Sequence, residues 1–369
     1  MSEQFEFNCN GHNSIYTKDY LENNYNERNF KVYFSTPDNG VNCETGLLLL
    51  IAGFDANSQS NIYKKMRQNF SDLYNLVTIQ CDYFGSEFMQ NNLPLNLSKD
   101  SINILNNFDL FMNDNIINFD KLKNIREQIS LTATASISES PENFNDMSYM
   151  QSIDNITAVL NVINILYNNN YNFNTNKIII MGQSQGAYLS YLCNTMCRGL
   201  FTHILDNSAW TYPHYLKSLR TIGSQLTDNT YISATFDYFA KRINLNTDYL
   251  QLSNLYKNID NSCIIISYHG TNDNLALLDD KVNELSNINN VTLNIISDIN
   301  LKDSIFKNTN HGLGADFIKL FDFFYKKYVT DITHNSLLNF ENNTILNGSN
   351  LEIDYTNGIP IVIGFNNLF

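Results

Sequence analysis

Apolar positions along the chain come in two rhythms. Short, unbroken runs recur: Phe30–Phe34 (FKVYF), Gly46–Ala52 (GLLLLIA), Leu76–Cys81 (LVTIQC), Lys177–Met181 (KIIIM), His203–Leu205, Cys263–Tyr268 (CIIISY) and Val291–Ile296. Runs of this length without polar alternation predict strands covered on both faces. Between them lie longer stretches with helical spacing. Asp154–Tyr167 places Ile156, Val159, Leu160, Val162, Ile163 and Leu166 on one stripe, with Asp154 read as its acidic start. Ala187–Met196, Leu275–Leu285 and Asp316–Tyr328 read as further helices. Strands alternating with helices predict an α/β protein, a mostly parallel, doubly wound sheet with helices on both faces. Two stretches break the alternation, about 86–150 and about 209–260, and are expected to be cap or lid insertions. Residues 1–329 are taken as the main domain. Residues 330–369 are taken as a C-terminal β extension whose Leu351–Phe365 segment turns at Asn357-Gly358 as a hairpin.

One motif adds chemistry. Gly182-Gln183-Ser184-Gln185-Gly186 follows the strand KIIIM and opens a helix. A serine in such a turn is forced out of ordinary backbone space, and the helix start beside it offers free N–H groups where negative charge develops in acyl transfer. Serine needs a base held by a carboxylate. Of six histidines, His311, in Thr309-Asn-His-Gly-Leu-Gly314, follows the last core strand, where the strand ends of such a sheet converge. Asp273, in His269-Gly-Thr-Asn-Asp273, is the favoured acid, with Asp206 after the strand containing His203 as the alternative. The oxyanion hole is assigned to the amides of Gln185 and of Phe54, in the loop after GLLLLIA. His269, Trp210 and Arg220 are candidate substrate contacts. Arg198, Lys217, Lys241 and Arg242 are further cations in or beside the second insertion.

Composition narrows the partners. Among 369 residues, 23 Lys and Arg stand against 37 Asp and Glu, a net charge of -14. Phosphate backbones and anionic membranes are bound through clustered cations, so neither nucleic acid nor membrane is expected. The six cysteines form no C-x-x-C pair, which predicts free thiols, no metal and no cofactor. The acidic, polar start of the sequence does not resemble the basic start of a signal peptide, so a cytoplasmic location is expected. Asparagine is abundant but dispersed between patterned apolar runs, and no function is drawn from it.

From about residue 29 to residue 329 the chain resembles the α/β-hydrolase superfamily. The segments IAGFDANSQS, GQSQGAYLSYLC, ILDNSAW, IISYHGTNDNLAL and NHGLG are similar, in the same order, to an uncharacterised family of bacterial α/β-hydrolase-like proteins encoded beside flagellin-glycosylation genes. The resemblance implies a serine-hydrolase scaffold and points toward an acylated glycan or nonulosonic acid. Three functions follow as expectations. The first is a carboxylester hydrolase using Ser184, His311 and Asp273 on a small acyl or glycan substrate. The second is an acyltransferase that passes the same acyl-enzyme to a sugar hydroxyl. The third is a non-catalytic binding module.

Overall fold

The computed structural model describes residues 2–17, 21, 25, 28–112, 116–243, 245–330, 332–346 and 351–365. The remaining positions lie outside the described residues; they include 113–115 and 244 in the two insertions and 331, 347–350 and 366–369 in the C-terminal segment.

The apolar runs form the middle of one eight-stranded sheet. Its strands are β1 (Glu3–Gly11), β2 (Arg28–Thr36), β3 (Gly46–Ile51), β4 (Leu76–Cys81), β7 (Ile178–Gln183), β8 (His203–Asn207), β11 (Ile264–Gly270) and β12 (Val291–Ile296). Their spatial order is β1-β2-β4-β3-β7-β8-β11-β12. β1, β2 and β4 pair antiparallel, and every pair from β4 to β12 is parallel. Every residue of β3, β4 and β8 is buried, as expected of strands covered on both faces. The helices covering the faces are α1 (Asn61–Tyr74), α4 (Tyr149–Asn168), α5 (Gln185–Met196), α7 (Leu278–Leu285) and α8 (Phe317–Tyr328). This strand order and direction, with α5 springing from the end of the fifth strand in space, is the α/β-hydrolase fold. Among the described residues no helix is long and apolar enough to cross a membrane.

The sheet has one strand more than expected at its N-terminal edge. β1 carries Phe5, Phe7 and Cys9 at alternating positions and pairs along its whole length with β2. α4 also starts earlier than Asp154. Asp146 accepts from the amides of Met150 and Gln151 (2.8 and 3.3 Å) and so satisfies the helix start. Asp154 lies one turn inside the helix, fully buried. It pairs bidentately with Arg28 and accepts the Phe84 amide at 2.7 Å. It is thus a paired core charge that fastens β2 to α4, not a cap.

The two insertions are not separate lids. The first supplies β5 (Leu95–Leu97), α2 (Lys99–Asn107), α3 (Phe119–Lys123) and β6 (Ile129–Ala135). The second supplies β9 (Arg220–Thr227), β10 (Thr230–Phe236) and the short helix α6 (Leu252–Leu255). Together they build one four-stranded sheet ordered β5-β6-β10-β9. β6 alternates buried and exposed residues along ISLTATA, so one face is free to cover a small core of Leu105, Leu110, Leu122, Ile129 and Leu131. Glu139 stitches the two insertions by accepting the amides of Asn145 (2.8 Å) and Phe239 (2.6 Å).

The C-terminal segment forms a three-stranded antiparallel sheet, β13 (Asn343–Leu346), β14 (Leu351–Asp354) and β15 (Ile361–Gly364). It does not extend the central sheet. Leu351, Ile353, Tyr355 and Val362 belong to the same buried cluster as the central strands. Tyr355 donates to the Met196 carbonyl at 2.8 Å, and the Val362 amide donates to His12 Nε2 at 3.1 Å. The segment is therefore a flank of the main core.

Candidate active site

The turn between β7 and α5 brings the chemistry to the sheet rim. Ser184 has φ 55° and ψ −121°, a backbone region that costs a non-glycine residue free energy and persists only where the surroundings enforce it. The enforcement is visible. The Ser184 amide donates to the Asn207 carbonyl at 2.9 Å, and the first turn of α5 closes from the Ser184 carbonyl to the Tyr188 amide at 3.1 Å. Gly186 lets α5 approach β3, since an added Cβ there would lie 2.3 Å from the Ile51 carbonyl oxygen.

Ser184, His311 and Asp273 lie in hydrogen-bonded series. Ser184 Oγ is 2.7 Å from His311 Nε2, and His311 Nδ1 is 2.8 Å from Asp273 Oδ2. Asp273 Oδ1 accepts the amides of Leu275 (3.0 Å) and Ala276 (2.9 Å), so both carboxylate oxygens are engaged. Burial alone would raise the Asp273 pKa. The His311 hydrogen bond and charge, the Ala276 amide and His269 outweigh it and hold the carboxyl below its usual range. A carboxylate so held orients the imidazole and stabilises its cation when the serine proton moves. The loops carrying base and acid are tied together. The Asn272 amide donates to the Thr309 carbonyl at 2.9 Å, and the Asn207 side chain donates to the Gly312 carbonyl at 3.2 Å.

Asp206 is not part of this series. Its Oδ2 accepts from Lys281 Nζ (2.9 Å), Ser267 (2.7 Å) and Tyr191 (2.8 Å), and its Oδ1 accepts the Ala209 amide (2.7 Å). Burial opposes its ionisation, but Lys281 and these donors keep its pKa low. The alternative acid is therefore a buried ion pair one strand over, turned away from His311 toward α7.

Gln185 follows the serine, and Gly53, the residue before Phe54, packs against it. Gln185 is the first residue of α5, so its N–H has no carbonyl within the helix. Its side chain is held away by donating to Gln151, which in turn donates to the Asn145 side chain (2.8 Å) and the Phe84 carbonyl (3.1 Å). Gly53 lies against Ser184: an added Cβ would be 3.2 Å from the Ser184 Cβ. Phe54 follows it directly, and among the described residues its amide donates to no protein acceptor.

The three candidate substrate contacts separate. His269 is fully buried behind Asp273. Its Nε2 lies 2.7 Å from the Ala276 carbonyl and 3.6 Å from Asp273 Oδ2, so it supports the acid's loop and presents no surface to a substrate. Trp210 stacks on Phe54 with ring centres 5.4 Å apart, and Arg220 lies over the Phe54 ring, its guanidinium carbon 4.5 Å from the ring centre. The other cations are engaged elsewhere: Lys217 with Asp248, Lys241 and Arg242 with Asp237, and Arg198 with Glu341. One neighbour escaped the sequence reading. His214 packs between Trp210 and Tyr212, and burial, followed by the charge of His311, pushes its pKa down to about 4. No motif marks it, because only the cap fold brings it over the base. All six cysteines are unpaired, and among the described residues no cluster of His, Cys, Asp or Glu could hold a metal ion.

Solved structures similar to this chain include three hydrolases. Est1E from Butyrivibrio proteoclasticus, with ferulic acid bound, is 11% identical with a TM-score of 0.42, over 81% of this chain and 96% of that one. Acetyl xylan esterase 1 from a Thermoanaerobacterium species is 13% identical with a TM-score of 0.44, over 83% of this chain and 81% of that one. Acylaminoacyl peptidase from Pyrococcus horikoshii is 12% identical with a TM-score of 0.47. That match takes in 91% of this chain but only 43% of the peptidase. No curated protein matches the chain in sequence. A family model described as "Protein of unknown function (DUF2920)" matches residues 27–247, from β2 into the second insertion past β10; it includes Ser184 and Arg220 and ends before Asp273 and His311. Because that match covers more than half of the sequence, the chain belongs to the DUF2920 family.

Proposed function

We propose that the protein is a serine hydrolase acting on a carboxylic ester. The observation that carries the reading is the continuous Ser184–His311–Asp273 hydrogen-bond series on a serine with a positive φ at a helix start. Ser184 Oγ attacks the acyl carbonyl while His311 Nε2 takes its proton. The oxyanion lies between the amides of Gln185 and Phe54. His311 then passes the proton to the departing alcohol, leaving an acyl group on Ser184. Water, activated by the same imidazole, attacks that ester and frees the acid and the serine. Asp273 keeps Nδ1 protonated and Nε2 facing the serine throughout. The chemistry requires no metal or organic cofactor.

An acyl group on a glycan or a nonulosonic acid is the substrate class to test first, following the resemblance to proteins encoded beside flagellin-glycosylation genes. Transfer to a sugar hydroxyl is the second reading. It is favoured by the aromatic wall of Trp210, Tyr215 and Tyr238 around Phe54, which excludes the water that would otherwise resolve the acyl-enzyme. The test is turnover of short acyl esters and acetylated sugars by the wild type and by Ser184→Ala, with products analysed with and without an acceptor sugar. Hydrolysis by the wild type and its loss in the variant support the proposal. Equal turnover by both proteins rejects it. Absence of turnover on every ester, with the serine unreactive, leaves the binding-module reading.

A further inference from the structure

Arg220 opens β9 in the cap and is 8% exposed. A guanidinium carries five N–H donors in a planar fork, and a buried charge is ordinarily paired. The other cations in or beside the core obey that rule or find neutral acceptors, Lys177 donating to the Glu44 carbonyl. Arg28 pairs with Asp154 and Lys281 with Asp206, while Arg67 donates to the Ser58 carbonyl and the Gln80 side chain. Arg220 has no such complement. It donates to the Tyr238 hydroxyl at 3.3 Å and also engages the Tyr215 hydroxyl, and among the described residues no carboxylate forms an ion pair with it. Aromatic faces surround the rest: Phe54 at 4.5 Å and Phe236 at 5.2 Å from the guanidinium carbon. Cation–π contacts and tyrosine hydroxyls offset part of the desolvation but supply no counter-charge, and no guanidinium nitrogen of Arg220 is buried without a partner, so the N–H groups left over remain open to solvent or a ligand.

The position of this charge matters as much as its isolation. Phe54, whose ring lies under the guanidinium, follows the glycine packed against Ser184. Arg220 is thus one side chain away from the oxyanion side of the serine. The same wall holds two more polar atoms without partners, Trp210 Nε1 and His214 Nε2. Within a protein of net charge -14, a lone buried cation beside the nucleophile is a local reversal of sign.

We propose that Arg220 is an anion-recognition residue of the Ser184 site, and that the ester it takes carries a carboxylate. The inference rests on the serine-hydrolase reading for the word ester, but not for the anion. A planar carboxylate can accept two parallel bonds from the fork. Its arrival supplies the missing counter-charge in a place where water and salt screen little. The aromatic wall sets a second condition: the carboxylate belongs to a compact substrate, small enough to reach the fork while its ester carbonyl meets Ser184.

The test separates the two claims by measuring binding without turnover. Ser184→Ala is titrated with monomethyl succinate and with acetoxyacetate, which bear a carboxylate on the acyl and on the alcohol side. Their neutral methyl esters are titrated in parallel. At least one anion is expected to bind at least tenfold more tightly than its neutral counterpart. The preference should fall to within about twofold of unity when Arg220→Gln is added. Arg220→Lys, which keeps the charge but not the fork, should recover part of it. Because the readout is a ratio of two ligands on one protein, a general loosening of the cap cancels. Equal binding of anionic and neutral esters, or a preference that survives Arg220→Gln, overturns the proposal. Wild-type turnover of the same esters reports separately on the hydrolase: anion preference without turnover retains the recognition site and discards the enzyme.

Discussion

Asp206 and Asp273 sit at neighbouring strand tips, and replacing each by Asn should have opposite consequences. In Asp206→Asn, Lys281 keeps its charge, fully buried, with its carboxylate partner gone. Removing one member of a buried pair costs about 3–5 kcal/mol. For a chain of this length, with roughly 2 cal/mol/K of unfolding entropy per residue, the melting temperature should fall by about 4–6 °C. The His311–Asp273 bond is untouched, so kcat/KM of the folded fraction should stay within about threefold of wild type. In Asp273→Asn the amide oxygen can still accept the Leu275 and Ala276 amides, so the fold should lose about 1 kcal/mol or less. The amide nitrogen, however, would face His311 Nδ1 and favour the wrong tautomer. Turnover should drop by about 10³–10⁴. Calorimetry and ester hydrolysis on both variants are the assay. A stable, inactive Asp206→Asn protein together with an active Asp273→Asn protein would refute the assignment of the acid.

Other outcomes follow from the same geometry. Gly186→Ala should lower both stability and activity sharply, because its methyl group would press into the Ile51 carbonyl and push α5 off the sheet; thermal melts and turnover check it. Buried His12 and His203 have pKa values lowered to about 4, mainly by burial. The unfolded chain binds their protons below about pH 6.5 and the native protein does not. Each therefore removes stability as pH falls from about 6.5 toward 4, at up to roughly 1.4 kcal/mol per pH unit. His203→Gln should consequently gain on the wild type as melts are taken from pH 7 to pH 5, and a constant difference would count against it. Arg28→Met, which strands Asp154 in the core, should destabilise by about 3–5 kcal/mol in denaturant titrations and leave the serine reactive in whatever folds.

The parts of this molecule that sequence made legible are those where one rule acts locally. Fully buried strands such as GLLLLIA and KIIIM stand out because nothing polar interrupts them. The G-x-S-x-G turn is visible because backbone strain and close helix packing demand glycine at fixed offsets. His311 and Asp273 could be named because strand order dictates which loops converge. Sequence favours Asp273 but leaves Asp206 open, since what removes Asp206 is Lys281, 75 positions beyond it in the chain and folded beneath it. The cap was opaque for a related reason. β6 and β10 pair in parallel across about a hundred residues, so the two antiparallel pairs, one from each insertion, become one four-stranded sheet only through a long-range join. Asp154 looked like a helix cap because acidic residues often start helices. Its true role needs Arg28, which local patterning around α4 cannot supply. β1 was within reach, as its Phe5-Phe7-Cys9 alternation shows, but it lies outside the stretch that resembles the hydrolases.

The central claim is that Ser184 is a nucleophile activated by His311. Intact-mass spectrometry after exposure to a fluorophosphonate probe tests it directly. The account predicts one adduct per chain, mapped to Ser184, absent in Ser184→Ala and strongly slowed in His311→Ala. An unmodified folded protein, or labelling that is indifferent to His311, would contradict it.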